Sequence, residues 1–232
     1  MDPYIQIEHL TRTYVRGTNE IRALDDVSVD IADGEFVALM GPSGSGKTTL
    51  LNIVAGIDHA TSGAVSIGGQ DVLAMSDGRK ASWRTRNIGY VFQFYNLMPM
   101  LTAFENVELP LLVLPLNRRQ RREHAHAALE AVDILTRRDH YPKQLSGGEQ
   151  QRVAIARAIV TDAKVLVADE PTGNLDAASE QDIMTLLKRL NKELGKTMLM
   201  VTHDSAAAAF ADRIIRLEKG RLNTRTPEMA GA

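Results

Sequence analysis

The chain has no cysteine, which excludes disulfides and thiolate metal sites and is compatible with a reducing cytosol. It also lacks a long apolar run. Its most apolar stretch, Val107 to Leu116, is short and broken by Pro110 and Pro115, well under the roughly 20 residues that span a bilayer. Met1 to Leu10 has no basic segment followed by an apolar core, so the sequence reads as neither membrane-spanning nor exported. No charge sign dominates: 27 Lys and Arg face 29 Asp and Glu, for a net charge of −2. Without a basic field, no nucleic-acid partner is expected. Repeats and low-complexity tracts are missing too. The 232 residues suffice for one large α/β domain or two small ones packed closely.

Against these absences stands Gly41 to Thr48, G-P-S-G-S-G-K-T, which fits the phosphate-loop pattern G-x-x-x-x-G-K-[ST] at every fixed position. Phe36 to Met40 before it suits a buried parallel strand, and Thr49, Leu50, Leu51, Ile53 and Val54 after it recur with helical spacing. Gly41, Gly44 and Gly46 permit positive φ and close approach, so the N–H groups of Gly44 to Thr48 can converge on one anion at a helix N-terminus. Lys47 is expected to reach the β- and γ-phosphates, and the Thr48 hydroxyl to ligate the bridging magnesium ion.

Upstream, Ile5 and Ile7, then Tyr14 and Val15, suggest an opening strand pair, and Val27, Val29 and Ile31 alternate with polar residues before an Asp33-Gly34 turn. An antiparallel β layer is expected first. Tyr14 on this layer can stack on a purine or fill core. Downstream, Ala64 to Ile67 is a small strand between glycine turns, and Ile88 to Phe92 another buried strand with Gln93 at its end, placed to face magnesium or the attacking water, or to lie on the surface.

From Thr102 to about Arg138 the pattern is helical, with a capping box at Thr102 and Glu105 and a helix face at Leu129, Val132 and Leu135. Arg118, Arg119, Arg121 and Arg122 read as a solvated helix start, with lipid headgroup contact as the alternative. In L-S-G-G-E-Q-Q-R, Leu145 to Arg152, Ser146 and Glu149 form a second capping box. Capping does not need Gly147 and Gly148, each costing a helix about 1 kcal/mol, so a second anion contact explains them better.

Lys164 to Ala168 leads as a core strand to Asp169, a carboxylate fit to hold magnesium, and Glu170, which can polarise a water in line with the γ-phosphate; the alternative is two plain polar residues at a strand end. Gly173 to Asp176 is a turn before the helix bearing Ile183, Leu187 and Leu190. Of six histidines only His203 follows a strand's carboxyl end, after Thr197 to Val201, where it can donate to a γ-phosphate. Ile214, Ile215 and Leu217 with Lys219-Gly220 close the sheet in a hairpin.

In this order, from about Tyr4 to Leu222, the elements resemble the nucleotide-binding subunit of ATP-binding-cassette transporters. The resemblance implies an α/β fold, a P-loop NTPase core with a parallel sheet, an N-terminal antiparallel β layer and an inserted helical lobe. As a single ATPase domain, the core and β layer would take approximately 1–93 and 163–232, and the lobe with the signature approximately 94–162. It makes Tyr14 the adenine-stacking aromatic; Gly41, Pro42, Ser43, Gly44, Ser45, Gly46, Lys47, Thr48 and Thr49 the phosphate loop; and Gln93 the Q-loop residue. Ser146, Gly147, Gly148 and Glu149 become the signature, Asp169 the metal-side carboxylate, Glu170 the catalytic glutamate, Gly173 to Asp176 the D-loop and His203 the switch histidine.

In this family the signature closes over ATP held by a second subunit, so one copy of each motif implies a homodimer around two ATP with magnesium. It implies too a separate integral membrane permease subunit, with Phe94, Tyr95, Leu97, Met98 and Met100 as the apolar contact, at the cytoplasmic face of the inner membrane. The wording A-D-E-P-T-G-N-L-D at Ala168 to Asp176 and M-P-M-L-T-A-F-E-N-V at Met98 to Val107 looks like the branch of lipoprotein-release, macrolide-efflux and cell-division ATPases. The expected function is ATP hydrolysis driving export or lipoprotein release. A nucleotide-gated signalling module shares the same engine, and a soluble cassette acting on DNA or the ribosome is a remote third class.

Overall fold

The computed structural model describes residues 3–17 and 19–223. Two sheets sandwich one helix. The first sheet is antiparallel: β1 (Ile5–Arg16), β2 (Asn19–Ile31), β4 (Ser62–Ile67) and β5 (Gln70–Asp71) lie in the order β2-β1-β4-β5. The expected opening strand pair is thus one strand. Its register slips between Ile7 and Thr13, where His9 takes φ 49°, and this bulge interrupts the alternation that Ile5 and Ile7 begin.

The second sheet holds β3 (Phe36–Met40), β6 (Ile88–Val91), β7 (Val165–Asp169), β8 (Thr197–Thr202), β9 (Arg213–Glu218) and β10 (Arg221–Asn223), in the order β10-β9-β3-β8-β7-β6. All pairs are parallel except the β9–β10 hairpin. Both faces of the central strands β3, β7 and β8 are covered, so these three read as nearly continuous apolar runs. Val37 and Leu39 point with Val167 and Val201 toward α1 (Lys47–Val54) and the antiparallel sheet. Phe36 and Ala38 point the other way, as period two requires.

That other face carries α3 (Ala103–Glu108), a 3-10 turn at Leu109–Val113, α4 (Arg118–Ala131), α5 (Gly147–Ile159) and α6 (Ala177–Glu193), with the short α7 (Ser205–Ala208). Among the described residues, 94–162 contains helices and no strand. The arginine run does begin a helix, with Asn117 and Gln120 as its capping box. The Leu129, Val132, Leu135 face does not run along one helix, because α4 ends at Val132 and Leu135 starts a separate 3-10 turn. Two helices have no counterpart in the sequence pattern: the short α7, and α2 (Asp77–Asn87), whose only buried apolar residue is Trp83.

Parallel pairing aligns the strand ends that matter. Met40 stands opposite Thr202, Asp169 opposite Val201, and Val91 opposite Ala168. At about 4.8 Å between strands, four carboxyl ends fall along roughly 14 Å of one sheet edge.

Candidate nucleotide site

The phosphate loop leaves β3 through glycines that no other residue can replace without displacing backbone. A Cβ on Gly46, at φ 102°, would lie 2.2 Å from the Ala23 carbonyl oxygen; one on Gly41 would lie 2.1 Å from that of Leu217. Helix α1 has no side-chain cap and no acidic residue in its first turn, so its leading amides and positive dipole end are uncompensated. Lys47 is buried, and its Nζ donates to the Gly41 and Pro42 carbonyls at 2.8 and 2.9 Å. Ser45 is buried with no hydrogen-bond partner for Oγ. Pro42, Ser43, Gly44 and Thr48 are exposed, and Thr49 is half-buried. Naked amides, a cation and an orphaned hydroxyl form a cradle suited to a polyanion.

Across the sheet edge, the Thr48 hydroxyl donates to Asp169 Oδ1 at 3.3 Å. Burial raises the Asp169 carboxyl above the ordinary range; Thr48 and Lys47 oppose the shift and Glu170 adds to it. A nearby dication would relieve that cost. The donor set is oxygen throughout, which fits magnesium, an ion held by one or two protein groups plus phosphate and water.

Glu170 stands at φ 45°, with its N–H donating to the Val201 carbonyl at 2.9 Å. This left-handed turn at the end of β7 directs its carboxylate between two other strand ends. Gln93 Nε2 donates to Oε2 at 3.3 Å, and His203 Nδ1 lies 3.1 Å from Oε1. A cavity of about 150 Å³ opens beside Glu170, Gly173, Thr202 and His203, ample for water. Asn174 Nδ2 donates to the Gln93 carbonyl at 2.8 Å, tying the turn after Glu170 to the end of β6.

The remaining expected residues lie elsewhere. Ser146 caps α5: its Oγ accepts from Glu149 N–H at 3.2 Å, and its own N–H donates to Glu149 Oε2 at 2.9 Å. That bond and the Arg137 guanidinium outweigh burial and hold the Glu149 carboxyl below its usual range. Ser146 is exposed. Gly147 has a packing reason as well as an anion reason, because a Cβ there would meet the Tyr95 hydroxyl at 3.1 Å and Leu175 at 3.3 Å. Among the described residues, no hydrogen bond or ion pair joins 146–149 to 41–49. Tyr14 is 37% exposed, so it does not fill core. Ile21, its partner across the β1–β2 ladder, is two residues before Ala23, which touches the phosphate loop.

Against known proteins, the family described as ABC transporter matches residues 24–173. The chain belongs to the ABC transporter family. The lipoprotein-releasing system ATP-binding protein LolD of Bordetella pertussis is 47% identical over 220 residues, covering 95% of each chain. The macrolide export ATP-binding/permease protein MacB of Rhodopirellula baltica is 46% identical over 93% of this chain, which spans only 32% of that larger protein. A dimeric ATP-binding cassette solved in a post-hydrolysis state with ADP and phosphate superposes with a TM-score of 0.86 at 44% identity, over 94% of this chain and 96% of that one.

The chain is therefore an ABC cassette, an ATP-binding ATPase fold, and the sequence-level resemblance stands. No described helix is long and apolar enough to cross a membrane. Sequence reasoning missed two residues of this ABC cassette. Asp58 grips Tyr14, a partnership across 44 positions with no local signal. Asn106, fully buried, accepts from Met98 N–H and donates to the Met98, Leu101 and Thr102 carbonyls, fixing the loop that displays Met98 and Met100. Its place in E-N-V, one turn after a cap, is the only clue. Phe94, Met98 and Met100 are exposed, whereas Leu97 packs on the core and Tyr95 is half-buried.

Proposed function

We propose that the chain hydrolyses ATP as a homodimer and drives a separate integral membrane permease subunit from the cytoplasmic face of the inner membrane, in lipoprotein release or export. The observation that carries this reading is the separation of two anion-binding half-sites on one chain: an uncapped α1 N-terminus with Lys47, and the exposed Ser146 with Gly147 and Gly148 at the N-terminus of α5. Two copies related by a twofold axis would complete both sites, each pairing one copy's loop with the other's signature. LolD relatives covering nearly the whole chain, and the dimeric cassette structure, support the assignment.

In this reading Tyr14 stacks on adenine, and the amides of Gly44 to Thr48 with Thr49 hold the phosphates. Lys47 moves from the Gly41 and Pro42 carbonyls to the β- and γ-oxygens. Thr48, Asp169 and Gln93 would hold magnesium, which when bound neutralises charge on those oxygens. Glu170 takes a proton from water as its oxygen attacks the γ-phosphorus and the bond to the bridging oxygen breaks, giving ADP and phosphate. Gln93 and His203 position that carboxylate, and His203 donates to the γ-phosphate. Ser146, Gly147 and Gly148 contact the γ-phosphate from the partner copy, with Glu149 holding their cap in shape.

Loss of the bridging phosphate removes the favourable contact between copies, so the dimer population shifts toward open. Residues 94–162 then act as a helical lobe inserted in one ATPase domain, moving with the signature and presenting Phe94, Met98 and Met100 to the permease. Ser146→Arg should abolish the ATP-dependent dimer in light scattering while each protomer still binds ATP. An unchanged dimer would sink the composite site.

A further inference from the structure

The turn after α1 is built around Asn52, whose carbonyl accepts both the Ile57 and the Asp58 N–H groups, at 2.8 and 3.2 Å. Asn52 is itself held by the Tyr90 hydroxyl on β6, at 2.9 Å. The Asp58 carboxylate is thereby fixed, and three donors converge on it. The Tyr14 hydroxyl reaches Oδ2 at 2.5 Å; Arg12 Nη2 and His59 N–H reach Oδ1, both at 2.7 Å. Arg12 and Tyr14 are two residues apart on β1; the register slips between Arg12 and Thr13, and both side chains reach the one carboxylate. The Arg12 guanidinium carbon sits 4.4 Å from the Tyr14 ring centroid, within cation–π range, and covers one side of the ring. Burial works against the Asp58 charge, yet the donors from Tyr14, His59 and Arg12 outweigh it and hold the carboxyl below its usual range.

We propose that Asp58 and Arg12 are positioning residues that fix the tilt and the open face of the Tyr14 ring for a purine. The inference rests on the reading of Tyr14 as the base platform. One short segment, from the phosphate loop through α1 to Asp58, then sets both ends of the nucleotide: its amides seat the phosphates, and its carboxylate aims the aromatic under the base. A tyrosine on an exposed strand would otherwise lose side-chain freedom when the base arrives. Holding it beforehand by its hydroxyl and one face lowers that cost.

The test compares binding of ATP and of inorganic tripolyphosphate, each with magnesium, to the full chain by calorimetry. Tyr14→Ala should weaken ATP and leave tripolyphosphate unchanged. Tyr14→Phe and Asp58→Ala should each weaken ATP about three- to tenfold, with tripolyphosphate within about twofold of the parent. The double variant should bind ATP no more weakly than Asp58→Ala alone, because both changes break one bond. If Tyr14→Ala weakens ATP but Tyr14→Phe and Asp58→Ala do not, the positioning inference falls and the platform survives. If Tyr14→Ala has no effect, the platform itself falls. Equal weakening of ATP and tripolyphosphate by Asp58→Ala would make Asp58 structural and overturn the inference. Tyr14→Phe keeps the ring and decides the matter should Asp58→Ala fail to fold.

Discussion

Glu170→Gln separates chemistry from architecture at this site. The amide keeps the size of the side chain and still offers one oxygen to Gln93 Nε2, 3.3 Å away in the parent, but it takes no proton from water. The substitution weakens the pairing with His203 Nδ1, 3.1 Å away, where the side chains are 22% and 67% exposed. So open a pair contributes about 0–1 kcal/mol to stability. At about 2–4 °C per kcal/mol for a chain of this size, the melting temperature should move by no more than about 4 °C. A positioned general base contributes about 10²–10⁴ in rate, or roughly 3–5 kcal/mol of barrier. Phosphate release at saturating ATP and magnesium should therefore fall by at least about a hundredfold, with ATP still bound and the ATP-dependent dimer stabilised. Turnover within about tenfold of the parent, in a variant that melts normally, would refute Glu170 as the base.

Four other variants probe the scaffold. Gly46→Ala places a Cβ 2.2 Å from the Ala23 carbonyl at φ 102°, whereas Gly44→Ala at φ 76° meets open space; thermal melts should show the first as clearly the more damaging, and equal melting points would contradict the steric account. Asn106→Leu deprives one part-buried N–H and three carbonyls of their partner, so urea unfolding should show a loss of at least about 2 kcal/mol. Asp212 accepts from Lys188, Lys192 and the Phe36 N–H, which together outweigh its burial and depress the carboxyl from 3.8 to about 2. A depressed acid stabilises the fold above its unfolded pKa and loses that contribution as pH falls through the folded value. Asp212→Asn should be less stable than the parent near neutrality, with the gap closing as pH drops from 3.8 toward 2 in denaturant midpoints; a gap unchanged at pH 2 would contradict it.

The motifs readable in the chain are those whose physics is local. Gly41 to Thr48 carries its strand, glycine turns and helix within about twenty residues, and Ser146 with Glu149 completes a cap across three. Where local pattern misled, a distant partner had overruled it. Glu8 and His9 interrupt the apolar alternation of β1, yet β2 and β4 hold both halves in one strand through a bulge. Helix α2 is polar along most of its length and offers no apolar stripe to find, so only the seat for Trp83 reveals it.

Residue types and short spacings alone marked a glycine loop before a helix as suited to a polyphosphate, and the strand ends that carry Gln93, Asp169, Glu170 and His203. Tertiary structure alone decided which of these groups touch. Parallel register levelled the strand ends, a left-handed turn aimed Glu170 between Gln93 and His203, and a carboxylate 44 positions away took hold of Tyr14. Distances across a sheet are set by how the strands pair, and pairing partners leave no mark in the intervals along the chain.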